Sequence, residues 1–293
     1  QQRDSDLFAV KLDGTIRQIT SMPGSEEAPT VSPDDKTIAF LARDGEKLAY
    51  RNRELMLMPL EGGDATSLTP DLDRSVDKAI WDARGRGLYF MTENRGLAEV
   101  HYTDTRGKRR MVADALGGTS IGRPYTSGDF DAAGGTVAFT RGSGTRPADI
   151  FAVRGGKTTQ LTALNEDALG HKTLGETHEI IYKSSIDGEE IQGWYITPPG
   201  FDPTSRKYPL ILEIHGGPHL SYGPNFSAEM QHYAAEGYVV FYDNHRGSTS
   251  YGERFALLLQ NKYSSEFDFA DHNSGVDAMI GLGFIDPDQL YIT

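Results

Sequence analysis

The 293-residue sequence contains no cysteine, which removes disulfides, thiolate metal sites and a cysteine nucleophile together. It has no run approaching the roughly 20 apolar residues needed to cross a bilayer, and the N-terminal Gln1-Gln2-Arg3-Asp4 carries no signal-like apolar stretch. Basic charge is short as well: 29 Lys and Arg stand against 42 Asp and Glu, a formal net charge of -13 with neither sign gathered into a long run. That balance argues against non-specific binding to nucleic acid or to an anionic membrane, and the acidity reads as a solubility feature. What is present is 38% hydrophobic residues in a length that suits two domains.

Over residues 1–170 one phrase recurs: a short apolar strand, a turn with Gly or Asp, then a polar segment closing on Leu-Thr or Ile-Thr. Copies run from Leu7-Phe8-Ala9-Val10 to Ile19-Thr20, from Leu55-Met56-Leu57-Met58 to Leu68-Thr69, and from Ile150-Phe151-Ala152-Val153 to Leu161-Thr162, with a weaker copy from Val100 to Val112. They begin at 7, 55, 100 and 150, spacings of 48, 45 and 50. Between them an Asp turn precedes another strand, as in Ser32-Pro33-Asp34-Asp35 before Thr37-Ile38-Ala39-Phe40, and again at Asp82 and Asp131. Several short strands per fixed period predict the blades of a β-propeller, which stack because no blade buries both faces alone. Three periods and a fraction predict a partial array, the C-terminal blades. A β-sandwich also has short strands, but it needs no fixed interval.

The pattern changes after Leu169-Gly170, so residues 171–293 are expected to form a second domain. Glu179-Ile180-Ile181-Tyr182 and Ile191 to Ile196 flank Asp187-Gly188, a hairpin signal. Leu210-Ile211-Leu212-Glu213-Ile214 and Tyr238 to Tyr242 read as strands buried on both faces. A helix is predicted over about residues 227–236, capped by Ser227 and stopped by Gly237. A second is predicted over about 268–282, with Phe269, Val276, Met279 and Ile280 as its apolar stripe, and Asp286-Pro287 turns the chain into a last strand, Gln289 to Thr293. Alternating strands and helices predict a mostly parallel α/β sheet.

Two loops directly after buried strands carry the candidate chemistry. In His215-Gly216-Gly217-Pro218 the glycines let the main chain approach a ligand, and the Gly217 amide is placed to meet a developing oxyanion. A plain tight turn is the alternative for that text. In Asn244-His245-Arg246-Gly247-Ser248, followed by Tyr251-Gly252, Arg246 offers a fork of donors and Tyr251 an aromatic wall. Taken together with Asp187-Gly188, Gln192-Gly193-Trp194, Thr197-Pro198-Pro199-Gly200 and Gly283-Phe284-Ile285-Asp286-Pro287, residues 178–293 resemble the prolyl oligopeptidase family, particularly its acylaminoacyl-peptidase-like and dipeptidyl-peptidase-like branches. The resemblance implies a β-propeller followed by the N-terminal half of an α/β-hydrolase domain, and hydrolysis of short peptides by a Ser-Asp-His triad. It also implies that Gly216 and Gly217 form the oxyanion loop, that His215, Pro218, Arg246, Gly247, Ser248 and Tyr251 shape the substrate site, and that no cofactor is needed. In the family the serine lies in a Gly-x-Ser-x-Gly elbow after the strand that here reaches Thr293. The triad is therefore expected beyond this chain, and the chain alone is expected to be inactive, needing the rest of the hydrolase domain as its partner. Homo-oligomerisation is compatible with the sequence, and nothing in it selects a compartment.

Gly118-Thr119-Ser120-Ile121-Gly122 fits the elbow pattern as text, but it stands inside the repeat array with Arg123-Pro124 after it instead of a helix. His215 and His219 have zinc-like spacing, but Gly216, Gly217 and Pro218 exclude the helix that spacing requires, so no metal is expected there. An esterase of the same fold and a non-catalytic propeller that binds a partner are the competing functions.

Overall fold

The computed structural model describes residues 4–263 and 266–293. The Gln1-Gln2-Arg3 part of the signal reading lies outside the described residues. Two short paired strands, Phe8–Val10 and Ile16–Gln18, precede three four-stranded antiparallel meanders that open at Gly24, Val76 and Phe130. The recurrent apolar phrase is the third strand of each meander: Glu54–Pro59, Leu97–Asp104 and Arg146–Arg154.

The closing threonine has a physical reason. Its hydroxyl accepts the backbone N–H of the phrase's first residue: Leu7 N to Thr20 Oγ1 at 2.8 Å, Leu55 N to Thr69 Oγ1 at 2.9 Å, and Ile150 N to Thr162 Oγ1 at 2.9 Å. A side chain thus satisfies a donor the ladder leaves over. The Asp turns work similarly, with Asp34 accepting from Lys36 N and Asp82 from Arg84 N and Arg86 N.

Consecutive sheets share cores. Leu41, Leu55 and Leu68 of the first meander pack with Val76, Trp81 and Phe90 of the second, and Val100 and Leu116 of the second pack with Phe130, Val137 and Phe139 of the third. The Trp81 indole N–H also reaches across to Thr30 O at 3.1 Å.

The second half is one five-stranded sheet ordered Thr177–Lys183, Glu190–Ile196, Val239–Asn244, Tyr208–Glu213, Ile285–Ile292. The first two pairings are antiparallel and the last two parallel. The Ala228–Ala235 helix covers one face over Trp194, Tyr222, Val240 and Tyr242. The Glu266–Gly281 helix covers the other over Tyr182, Leu212 and Phe241. As expected, Ser227 caps the first helix, its Oγ accepting from Met230 N, and Gly237 ends it at φ +97°.

Three expectations are corrected. The Asp187-Gly188 hairpin is closed not by a tight turn but by a longer connection, residues 184–189, with Gly188 N donating to Ser184 O. Of the expected stripe on the Glu266–Gly281 helix, Val276, Met279 and Ile280 pack on the core, but Phe269 is 60% exposed and the inner face at that end carries Asp271 and His272 instead. Polar partners hold the face there, which the apolar period does not show. The last strand starts early, at Ile285, and residues 286–289 bulge out, since Tyr208 pairs with Ile285 and Leu210 with Leu290.

Candidate functional site

The Tyr208–Glu213 and Val239–Asn244 strands run parallel, so the loops after them emerge side by side at the carboxyl edge of the sheet, where α/β proteins bind ligands. Gly216 and Gly217 are exposed, and Gly217 has φ +130° with a cis bond to Pro218. A Cβ at Gly217 would meet His219 N at 3.1 Å and Leu220 Cγ at 3.2 Å. Among the described residues, none accepts a hydrogen bond from the Gly217 amide. It is an unmatched donor in an exposed residue, on a backbone conformation that side chains resist.

Beneath it, buried His215 places Nδ1 3.0 Å from Gly216 O and Nε2 3.1 Å from Ser248 Oγ. Burial lowers the His215 pKa, so the ring is neutral and braces the loop by hydrogen bonding. Ser248 is fully buried and also bonds His245 O at 2.7 Å, so its hydroxyl serves the loop frame. Further links join the loops: His219 Nδ1 to Gly247 O at 3.1 Å, and Thr249 N to Leu220 O at 3.0 Å. A Cβ at Gly247, where φ is +93°, would press on Leu259 and Pro218.

Arg246 does not present a free fork. It is almost wholly buried, and its guanidinium donates to both Asp271 oxygens at 2.8 and 2.9 Å, to both Asp187 oxygens at 3.0 Å, and to Ser184 Oγ. Burial opposes its charge, but the two carboxylates outweigh that and raise its pKa further. The residue shapes the site by clamping its own loop to the helix and to the hairpin. Tyr251 is similarly engaged, its hydroxyl donating to Gln192 Oε1 at 2.6 Å and accepting from Asn244 Nδ2 at 2.8 Å.

Sequence reasoning missed a second set of residues. Asp243 and His245 flank Asn244 at the strand end, and His272 faces them from the Glu266–Gly281 helix. Burial would raise the Asp243 carboxyl, but His272 beside it holds it at about 2, whereas burial pushes His245 down to about 3. A buried strand ending in Asp-Asn was the available signal. It also missed Glu93, whose Oε2 accepts from Thr249 Oγ1 at 2.9 Å and Ser221 Oγ at 3.3 Å across the boundary with the repeat sheets. A cleft of about 370 Å³ lies there, lined by Arg43, Tyr50, Arg53, Glu93, His219 and Thr249. Ser120 lies in a loop before the third meander, its Oγ donating to Arg123 O, with no helix after it.

Comparison with known proteins finds similarity to peptidases. Residues 224–293 match the prolyl oligopeptidase family model. The uncharacterized peptidase YuxL of Bacillus subtilis is 29% identical over 83% of this chain and 39% of its own length. Dipeptidyl-peptidase 5 of Porphyromonas gingivalis is 26% identical over 98% of this chain and 41% of its own. The acylaminoacyl peptidase of Pyrococcus horikoshii superposes with a TM-score of 0.81 at 28% identity, covering 98% of this chain and 43% of that one. The chain thus spans about two fifths of the length of the curated relatives it matches.

Proposed function

We propose, from the chain's kinship with the prolyl oligopeptidase family, that it is the oxyanion-side part of a serine peptidase that cleaves short peptides in the acylaminoacyl- or dipeptidyl-peptidase manner. Residues 1–170 are the last blades of a β-propeller and residues 171–293 the first part of an α/β-hydrolase domain. The observation that carries this reading is the amide of exposed Gly217, without an acceptor among the described residues, in the loop at the carboxyl end of a parallel strand. Such a donor, held in place before the reaction, stabilises the tetrahedral oxyanion without reorganisation. His215 and Ser248 set the loop under it, and Arg246, Gly247, Pro218 and Tyr251 hold the neighbouring wall. In this reading the serine, aspartate and histidine of the triad lie outside these 293 residues. The remainder of the hydrolase sheet would pair with the Ile285–Ile292 strand, which exposes Leu290, Tyr291 and Ile292.

The test is fluorophosphonate labelling of the full-length protein containing this chain, with the labelled residue mapped by mass spectrometry. The expected label is a serine outside these 293 residues, with none on the 293-residue chain alone. A label on Ser120 or Ser248, or no label on folded full-length protein, overturns the proposal, the latter in favour of a binding propeller. Turnover of acyl esters without peptides would instead favour an esterase.

A further inference from the structure

The carboxyl edge of the sheet holds a cluster that the oxyanion frame does not use. Asp243 ends a buried strand, His245 opens the following loop, and His272 projects from the inner face of the Glu266–Gly281 helix, all three buried. Their ligating atoms lie within 4.8 Å of one another. Asp243 Oδ1 is 3.0 Å from His272 Nδ1 and 3.9 Å from His245 Nδ1. The His245 and His272 rings stand 4.7 Å apart.

One of these atoms, His245 Nδ1, is shielded from water with no hydrogen-bond partner among the described residues, and Asp243 Oδ1, equally shielded, has only its ion-pair contact with His272 and no hydrogen bond. An unpaired buried acceptor is costly, and each such group in a folded protein calls for an explanation. Bringing a carboxylate oxygen and an imidazole nitrogen together without a shared proton is what a cation between them would require. Tetrahedral zinc with bonds of about 2.0–2.1 Å separates its ligand atoms by about 3.4 Å, so the observed spacings of 3.0 and 3.9 Å lie close to it and the widest, within 4.8 Å, closes with a side-chain shift of about 1.4 Å. The ligand set, two imidazoles and one carboxylate, is of the borderline class that zinc and cobalt prefer. An outer partner is already present, since Tyr182 donates its hydroxyl to Asp243 Oδ2 at 2.6 Å and orients the carboxylate.

We propose that Asp243, His245 and His272 form a buried binding site for a transition-metal ion of the zinc class. The ion would join the strand end, the Arg246 loop and the helix at one point. On binding it displaces the proton that His272 Nδ1 shares with Asp243 Oδ2, and that proton leaves to solvent. The site differs from the His215/His219 pair considered from sequence spacing, whose Nδ1 atoms each face a backbone carbonyl.

The test is to express the tag-free full-length protein containing this chain in cobalt-supplemented medium, exchange it into metal-free buffer by gel filtration, and measure metal content and the visible spectrum. One cobalt per chain is expected, with a d–d absorption band that zinc abolishes by displacement. His245→Ala should lower the retained metal at least 10-fold, and it costs no existing Nδ1 hydrogen bond, so folding should survive. His232→Ala, at an exposed histidine, should change nothing. If folded wild-type chain retains no cobalt, or if retention is unchanged in His245→Ala, the proposal is wrong.

Discussion

At the scale of single residues, charge and backbone conformation decide most of the site. Arg246 is the clearest case: removing it leaves Asp271 buried without its cation, and breaking such a pair costs about 3–5 kcal/mol. Arg246→Met is therefore expected to lower the free energy of unfolding in urea by that order, and a change below about 1 kcal/mol would show the pair to be dispensable. At Gly217 a side chain opposes both the positive φ and the space beside Leu220. The proposed oxyanion role of the Gly217 amide predicts that, in the full-length protein, Gly217→Val cuts kcat for peptide hydrolysis about 100-fold or more, the loss typical of such a donor, with KM nearly unchanged. Glu93 makes a pH-dependent prediction. Burial raises its pKa against the opposing bonds from Thr249 and Ser221. A raised folded pKa means that the stability tied to the protonated form is fully present below the unfolded value and is lost as pH rises through the folded one. Glu93→Gln, which stays neutral, should thus raise Tm at pH 8 by more than at pH 4. An equal shift at both would remove the carboxylate's charge from the explanation.

Among elements, the repeat is held by a clamp that the sequence shows only as a recurring dipeptide. The threonines at 20, 69 and 162 make three copies of one hydrogen bond, to the N–H of the phrase's first residue, Leu7, Leu55 or Ile150. Thr69 is buried and Thr162 is not. Thr69→Val should therefore cost about 1–3 kcal/mol, the penalty of a buried unpaired donor, while Thr162→Val, where water replaces the lost acceptor, should cost clearly less. Thermal unfolding of the two variants compares them directly. The Glu266–Gly281 helix teaches the reverse lesson. Its expected stripe of Phe269, Val276, Met279 and Ile280 meets the core in its last three members, but at the N-terminal end the inner face is set by Asp271 bonding Arg246 and His272 meeting Asp243, and Phe269 is exposed. Hydrophobic periodicity does not see the part of a face chosen by ion pairs.

Across the whole molecule, the repeat sheets and the five-stranded sheet meet through backbone approaches that leave no room for side chains. A Cβ on Gly223 would lie 1.8 Å from Gly96 O, and Gly96 N donates to Ser250 Oγ at 2.8 Å. Tyr125 forms a bridge with Tyr222, and Thr126 N donates to Ser221 O. Gly223→Leu should loosen this junction, giving faster limited proteolysis between residues 160 and 177 and a broader unfolding transition than the wild type. Unaltered proteolysis would mean that the two parts are held elsewhere.

The sequence by itself determined the period of the array, the strands after which chemistry is placed, the helix from Ser227 to Gly237 and the two glycine loops. Each of these is written in local rules of turn, cap and periodicity that act over a few residues. Only the tertiary structure decided that Arg246 is spent on Asp187 and Asp271, that His215 braces Ser248, that Glu93 faces the junction, and that Asp243, His245 and His272 converge. Those arrangements join residues up to 156 positions apart, and their energies depend on burial and on partner geometry, which no local pattern records.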